Sequence, residues 1–488
     1  MADDGLSVRE AVVEPGVATL PAIFDQGRTI SYAELGALVE QRVSELAASG
    51  VGPGSRFTMR ATCEVSTIVT FFALLELGAA LVPIHPRLTE AEEQVILDDV
   101  CPEVRLSGHA IESDPPAAIV YTSGTTGRPK GAVLSRGAFV ASARASEQNL
   151  GWKSNDRWLV CMPLAHVGGL SILTRCLSAR KPIILEPRFD PGAVLRTIRR
   201  DGATQLSVVP TMLDALLEAD REGDLRRLRF LLVGGAAASP VLLERAAERG
   251  LLAITTYGLT EACSQVTCQA LRAPGTTEPG SGRALPGVEL RIARDHGVWG
   301  EGRLGRPEDP TVELGGLAEV HEVGSIQVRG PNLMRGYWSG PDKPYTMPLA
   351  PDGWFATGDL GSLDETGRLF VHARRTDLIV TGGENVYPAE VEQAFERAPG
   401  VVEAVVFGVP NERWGQVVAV ALVLSASRMS ASEQALAAIA NVSSRMASHK
   451  RPRLFAVLPS LARNATGKID RGAVCREATA RLQVVPGK

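Results

Sequence analysis

The sequence has little of what would place it outside ordinary globular proteins. Aromatic residues are scarce, at 5% of 488 positions. Seven cysteines lie scattered at 63, 101, 161, 176, 263, 268 and 475, with no C-x-x-C pair. No histidine completes a zinc spacing beside Cys263 and Cys268, so the pattern excludes a disulfide framework and a zinc site and reads as reduced thiols. Charge of one sign is lacking too. Lys and Arg number 51 against 55 Asp and Glu, a net −4 that gives no footprint for nucleic acid or an anionic membrane. "MADDGLSVREAVVEP" lacks the basic start and apolar run of a signal peptide, and a cytoplasmic protein is expected. The longest apolar stretch, Ser66 to Ile84, has Glu76 inside it and ends in "LGAALVPI". It reads as a buried helix followed by a buried strand, without stable membrane insertion.

What is present is alternation. "SYAELGALVEQRVSEL" opens with a capping box, Ser31 to Glu34, and sets Leu35, Leu38, Val39 and Leu46 at helical spacing. Short apolar strands ("AAIVYTS", "RWLVCMP", "KPIILEP", "QLSVVPT", "LRFLLVGG") then alternate with amphipathic stretches such as "PGAVLRTIRRDG" and "SPVLLERAAERG". This rhythm predicts an α/β fold of layered, largely parallel sheets and helices. Near residue 285 it changes: "LPGVELRIARD", "GSIQVRG" and "LFVHARR" read as antiparallel strands between Gly- and Pro-rich turns. After "RRTD" a smaller α+β unit begins, with "YPAEVEQAFERAPG" as a helix and "VVEAVVFGVP" and "QVVAVALVL" as strands. The expected domains are 1–375 and 376–488.

"YTSGTTGRPKGAVLS" begins at Tyr121. Gly124 and Gly127 let backbone N–H groups converge on an anion, while Ser123, Thr125 and Thr126 add hydroxyl donors. Lys130 can place a point charge on a β- or γ-phosphate. The P-loop of nucleotide hydrolases ends in Lys followed by Ser or Thr, and here Gly131 takes that place.

This segment resembles the phosphate loop of the adenylate-forming superfamily, which includes acyl- and aryl-CoA synthetases. "TYGLTE" is similar to that family's adenine and magnesium turn, "TGDLG" to its ribose segment, "RRTDLIVTGGENVYP" to its hinge and thiolation segment, and "NATGKIDR" to its terminal lysine motif. The resemblance spans nearly the whole chain. It implies a large AMP-binding domain and a small mobile domain that swings between two half-reactions. ATP and a carboxylate first give acyl-adenylate and pyrophosphate, and a thiol, usually that of coenzyme A, then displaces AMP.

The resemblance also implies roles. Lys468 carries charge to the transferring phosphoryl group, which needs electrostatic stabilisation. Thr260 contacts the α-phosphate, and Glu261 supplies a hard oxygen to Mg²⁺. Thr122, Ser123, Gly124, Thr125, Thr126, Gly127 and Lys130 cradle the phosphates. Tyr257 and Gly258 face adenine, with Gly235 and Ala236 on its other side. Asp359 takes the ribose hydroxyls beside Arg374, and Gly382, Gly383 and Glu384 border the pantetheine arm of coenzyme A. His166 lines the acyl site, with Ala165 where many family members have an aromatic residue. Ala462 stands before Arg463 where the family usually has Pro.

The acid is less sharply specified. "CMPLAHVGGLSIL" and "TTYGLTEACSQ" look most like the o-succinylbenzoate–CoA ligases of menaquinone synthesis, with Ser264 and Gln265 as polar groups for an aromatic keto-acid. Benzoate, anthranilate and medium-chain acids stay open, since apolar pockets discriminate by only about 1–3 kcal/mol per methylene. A free-standing carrier protein in place of coenzyme A, and a homodimer, are also left open. A non-catalytic nucleotide-binding protein would be expected to lack some of Thr260, Glu261, Asp359, Arg374 and Lys468, and all are present.

Overall fold

A computed structural model describes residues 5–100, 114–122, 129–294, 316–340, 345, 347–350, 352–374, 377–381, 384–412, 414–426, 429–464 and 468–486. Among these, strands form two large mixed sheets, a four-stranded antiparallel sheet and a C-terminal sheet.

The first large sheet runs from one edge through Ser264–Cys268, Ala253–Leu259, Phe230–Val233, Gln205–Val208, Trp158–Val160, Ile183–Leu185 and Pro21–Asp25 to Arg28–Ser31. Its centre is parallel, as the alternation predicts, but both edges are antiparallel hairpins. In the second sheet, Arg56–Arg60, Ala80–Ile84 and Pro116–Thr122 are parallel, and Lys130–Ser135 and Gly336–Tyr337 complete it antiparallel. The expected phosphate loop is therefore flanked by two antiparallel strands, Pro116–Thr122 and Lys130–Ser135, with Thr122 opposite Lys130. Its phosphate-handling chemistry has to come from loop groups and the lysine rather than from a following helix terminus.

The capping box forms as predicted: Ser31 Oγ accepts from Glu34 N at 3.2 Å, and Ser31 N donates back to the Glu34 carboxylate at 2.8 Å. The apolar stretch becomes the helix Val65–Leu77 and the strand Ala80–Ile84. Glu76 within it caps another helix, Val8–Val13, accepting from Ser7 Oγ at 2.9 Å and Val8 N at 2.7 Å. A carboxylate at a helix N-terminus meets orphan N–H groups and the positive end of the dipole.

One hydrophobic cluster joins side chains of both large sheets, among them Ile23, Trp158, Leu81 and Val120, through helices that contribute Phe71, Phe72 and Phe139. Fully burying each such side chain stabilises the fold by about 1.5–3 kcal/mol. Beyond Arg374 the chain has cores of its own. One face of the C-terminal sheet packs Phe395, Val420, Ile439 and Phe455, and the other packs Val405, Ala456 and Val474. The change of sheet falls between Leu369–Arg374 and Ile379–Thr381.

Candidate functional site

The strand Ala253–Leu259 leads into a 3₁₀ turn, Thr260–Ala262, and returns as Ser264–Cys268. The turn is tight enough that a Cβ on Gly258 would lie 1.8 Å from the Ser264 carbonyl oxygen, so only glycine fits. Cys263 and Ser264 have φ of +50° and +97°, a backbone that costs non-glycine residues about 1–3 kcal/mol each. Surrounding bonds hold it: Ser142 Oγ donates to Cys263 O at 2.8 Å and Asn332 Nδ2 to Ala262 O at 3.0 Å. Ser142 and Asn332 belong to no motif in the sequence, and only the folded turn reveals their work. Burial pushes the Cys263 thiol far up, which suits a packing residue.

Around this turn the predicted nucleotide residues converge. The Tyr257 phenol donates to Asp359 Oδ2 at 2.7 Å, joining the predicted adenine turn to the predicted ribose segment. Arg374 is paired with Asp359 across adjacent antiparallel strands. Glu261 Oε1 accepts from the Tyr337 phenol at 2.8 Å, and Lys130 Nζ lies 5.4 Å from the centre of the Tyr337 ring. Gly235 and Ala236 are exposed after the strand Phe230–Val233. Ser123, Gly124, Thr125, Thr126 and Gly127, together with Gly382 and Gly383, lie outside the described residues; Glu384 is exposed and opens the strand Glu384–Val386.

Lys468 comes from the C-terminal unit and meets this surface. Gly235 has φ +78°, and a Cβ built on it would lie 3.3 Å from Lys468 Cε and 3.5 Å from Nζ. A side chain there would crowd the lysine stem. The lysine is held in a closed turn: its N–H donates to Asn464 Oδ1 at 3.0 Å, and Asn464 N donates to its carbonyl at 2.8 Å. Ala462 O accepts from Asp470 N at 2.9 Å, so alanine serves the turn where the family has proline.

His166 caps the helix Val167–Ser178 through its backbone, and its ring centre is 5.2 Å from that of His85. Burial pushes the His166 imidazole down to about 4, with His85 and Lys468 adding to the effect. It is neutral near pH 7. Nε2 of both rings is buried without a hydrogen-bond partner. His85, which sequence reasoning missed, follows the strand Ala80–Ile84, and a histidine after an apolar strand carries no motif of its own.

Sequence reasoning also missed Arg175. Its guanidinium, 3% exposed, donates to Ser264 Oγ at 3.2 Å and lies 5.6 Å from the Trp158 ring centre. No carboxylate pairs with it among the described residues, its Nε has no partner, and burial pushes it down to about 10. Gln265 is buried, its Nε2 donating to Thr256 Oγ1 at 3.2 Å and its Oε1 unpartnered.

A metal fits this donor set in one way. No cluster of three or more His, Cys, Asp or Glu that could hold a metal occurs among the described residues. A single carboxylate, Glu261, suits Mg²⁺, which keeps waters and takes phosphate oxygens from its substrate. Among the described residues no helix is long and apolar enough to cross a membrane.

The AMP-binding enzyme family matches residues 10–113 and 106–338, and the AMP-binding enzyme C-terminal domain matches 390–468. The 2-succinylbenzoate–CoA ligase of Geobacillus kaustophilus is 36% identical over 483 residues, covering 92% of this chain and 93% of the relative. The indoleacetate–CoA ligase of Aromatoleum aromaticum is 33% identical over 528 residues, covering 97% of each. The o-succinylbenzoate CoA synthetase of Bacillus subtilis, in complex with its acyl-adenylate intermediate, matches with TM-score 0.80 and 32% identity over 96% of this chain and 97% of that one. A double mutant of the same enzyme bound to a product analogue gives 0.65, at 31% identity and 99% coverage of both chains. Profile, relatives and geometry together establish that the chain belongs to the AMP-binding enzyme family, as an acid–thiol ligase of the AMP-forming acyl- and aryl-CoA synthetase kind.

Proposed function

We propose that the chain joins o-succinylbenzoate to coenzyme A through an acyl-adenylate, using ATP and Mg²⁺. The observation that carries the choice of acid is Arg175. A buried guanidinium without a carboxylate is costly, and this one reaches Ser264, two residues after the 3₁₀ turn. An acid with a second carboxylate supplies the missing counter-charge, and plain aromatic acids do not. The 2-succinylbenzoate–CoA ligases among the relatives support the same reading.

In this reading the first half-reaction forms a bond between the acid's carboxylate oxygen and the α-phosphorus of ATP and breaks the bond to pyrophosphate. Lys468 Nζ stabilises charge at the transferring group, Thr260 holds the α-phosphate, Lys130 the outer phosphates, and Asp359 the ribose. Magnesium, when bound, neutralises phosphate charge, and Glu261 would hold it. Neutral His166 lines the acyl side without adding a cation. The coenzyme A thiol then attacks the acyl carbon and AMP leaves, with Gly382, Gly383 and Glu384 beside the incoming arm.

The indoleacetate–CoA ligase likeness over 97% of each chain favours a second reading, an aromatic acid with one carboxylate. A panel of o-succinylbenzoate, indoleacetate, benzoate, anthranilate and octanoate with ATP and coenzyme A, scored by acyl-CoA mass and AMP release, separates the two. o-Succinylbenzoate is expected to have the highest kcat/KM. A tenfold preference for a monocarboxylate, about 1.4 kcal/mol, would overturn the assignment and leave the ligase class standing.

A further inference from the structure

The segment from Gly330 to Trp338 ties the two predicted nucleotide elements together. Met334 N donates to Glu261 O at 2.7 Å, fixing the segment to the Thr260–Ala262 turn. Two and three residues on, Gly336 and Tyr337 pair with Val133 and Ala132 of the strand that begins at Lys130. Trp338 N then donates to Gly131 O at 2.7 Å. Tyr337 thus stands between the two, its phenol on Glu261 Oε1 at 2.8 Å and its ring 5.4 Å from Lys130 Nζ. No motif singled out in the sequence contains this tyrosine.

We infer that Tyr337 is a positioning residue for the metal–nucleotide complex. One hydrogen bond occupies Oε1 and fixes the plane of the Glu261 carboxylate. Oε2 has no donor from the described protein and is the oxygen left for a divalent cation. An outer partner that orients a ligating carboxylate typically carries about ten- to a hundredfold of metal affinity. The aromatic face meanwhile draws the Lys130 ammonium by its quadrupole, holding the charge on the side where the phosphates are expected. A single side chain so aligns the carboxylate for the cation and the lysine for the polyphosphate. The inference rests on the proposed role of Glu261.

The test is Mn²⁺ binding to the full chain, followed by electron paramagnetic resonance with a non-hydrolysable ATP analogue, in wild type, Tyr337→Phe, Tyr337→Leu and Glu261→Gln. Tyr337→Phe keeps the ring and removes the phenol, and it is expected to weaken Mn²⁺ about tenfold or more while binding the metal-free analogue as wild type does. Tyr337→Leu also removes the ring and is expected to weaken the metal-free analogue as well. Melting temperatures of the variants show whether they fold. Weakening by Glu261→Gln with wild-type Mn²⁺ affinity in Tyr337→Phe would overturn the inference alone. Wild-type affinity in both would overturn the role of Glu261 and the inference with it.

Discussion

On the proposed nucleotide side, Tyr257 donates to Asp359 and Tyr337 to Glu261, so both carboxylates are held before any ligand arrives. Among the groups assigned in the proposed function to the acyl side or found near its residues, Arg175 Nε, Gln265 Oε1 and Nε2 of both His85 and His166 are buried without partners. A buried polar group left unsatisfied costs about 1–3 kcal/mol. Such groups are tolerable where a ligand completes them, and the completed bonds then select the ligand. In the proposed function, the contrast separates a part whose work is the same for any acid from a part that chooses among acids.

The largest expected effect would break the contrast if it fell on both half-reactions. Lys468→Ala should lower adenylation about 10²–10³-fold, by analogy with a lost oxyanion donor, and leave thiolation of supplied acyl-adenylate largely intact. Pyrophosphate release and acyl-CoA formation from synthetic adenylate are measured separately. Equal losses would mean that the lysine holds the fold instead.

Next comes Arg175→Met, which sharpens the contrast because stability and activity should move apart. Removing one partner of a buried charge pair costs about 2–5 kcal/mol, so kcat/KM for o-succinylbenzoate should fall thirtyfold or more (about 2 kcal/mol). Benzoate should be unaffected. The melting temperature should hold or rise, since a lone buried charge is removed. A parallel loss for both acids would return Arg175 to a purely structural role.

A pH comparison probes two buried groups with opposite signs. His166 is held at about 4, below its ordinary 6.5, so the unfolded chain binds its proton first, and stability is lost as pH falls through that window. His166→Gln should lose less on acidification than wild type. Glu396, on the helix Pro388–Glu396, is raised to about 7 by burial and by Glu392, and it bonds Ser239 of the large domain. Its contribution is present below about 4.5 and is lost as pH rises through 7, so Glu396→Gln should flatten the alkaline side. Melting temperatures from pH 4 to 8 read both, and identical profiles in variants and wild type would refute them.

The smallest effect belongs to Tyr257→Phe. It removes one hydrogen bond to Asp359, about 0.5–1.5 kcal/mol, and should raise KM for ATP about two- to tenfold without changing the order of preferred acids. A changed order would mean that the two proposed sides are not independent.

Local chemistry made much of this legible. The Ser31 capping box, Pro388 at a helix start and the apolar strands each announce their structure through nearest neighbours, and each forms as read. The lysine turn and the Tyr-Gly-Leu-Thr-Glu turn could be read because their residues are contiguous. The parallel reading of the sheets was incomplete because a hairpin partner such as Lys130–Ser135 has the same alternation as a parallel strand. Arg175 was hidden by its setting, a lone basic residue near the end of an amphipathic helix, where the ordinary reading is a solvated charge.

The sequence by itself determined the order of motifs, the α/β class and the chemistry on offer: hydroxyls, glycines, a carboxylate for a hard cation, two lysines for phosphate. These follow from residue type and short spacing. Tertiary structure alone decided which groups meet. Asp359 reaches Tyr257 from 102 positions away, Tyr337 reaches Glu261 from 76, and Arg175 reaches Ser264 from 89. Lys468 finds Gly235 across a domain boundary. Burial, which turns a guanidinium from a solvated charge into a costly one in need of a partner, belongs to no residue on its own. It arises when the sheets close over the helix that carries Arg175, because the local dielectric is set by everything packed around it.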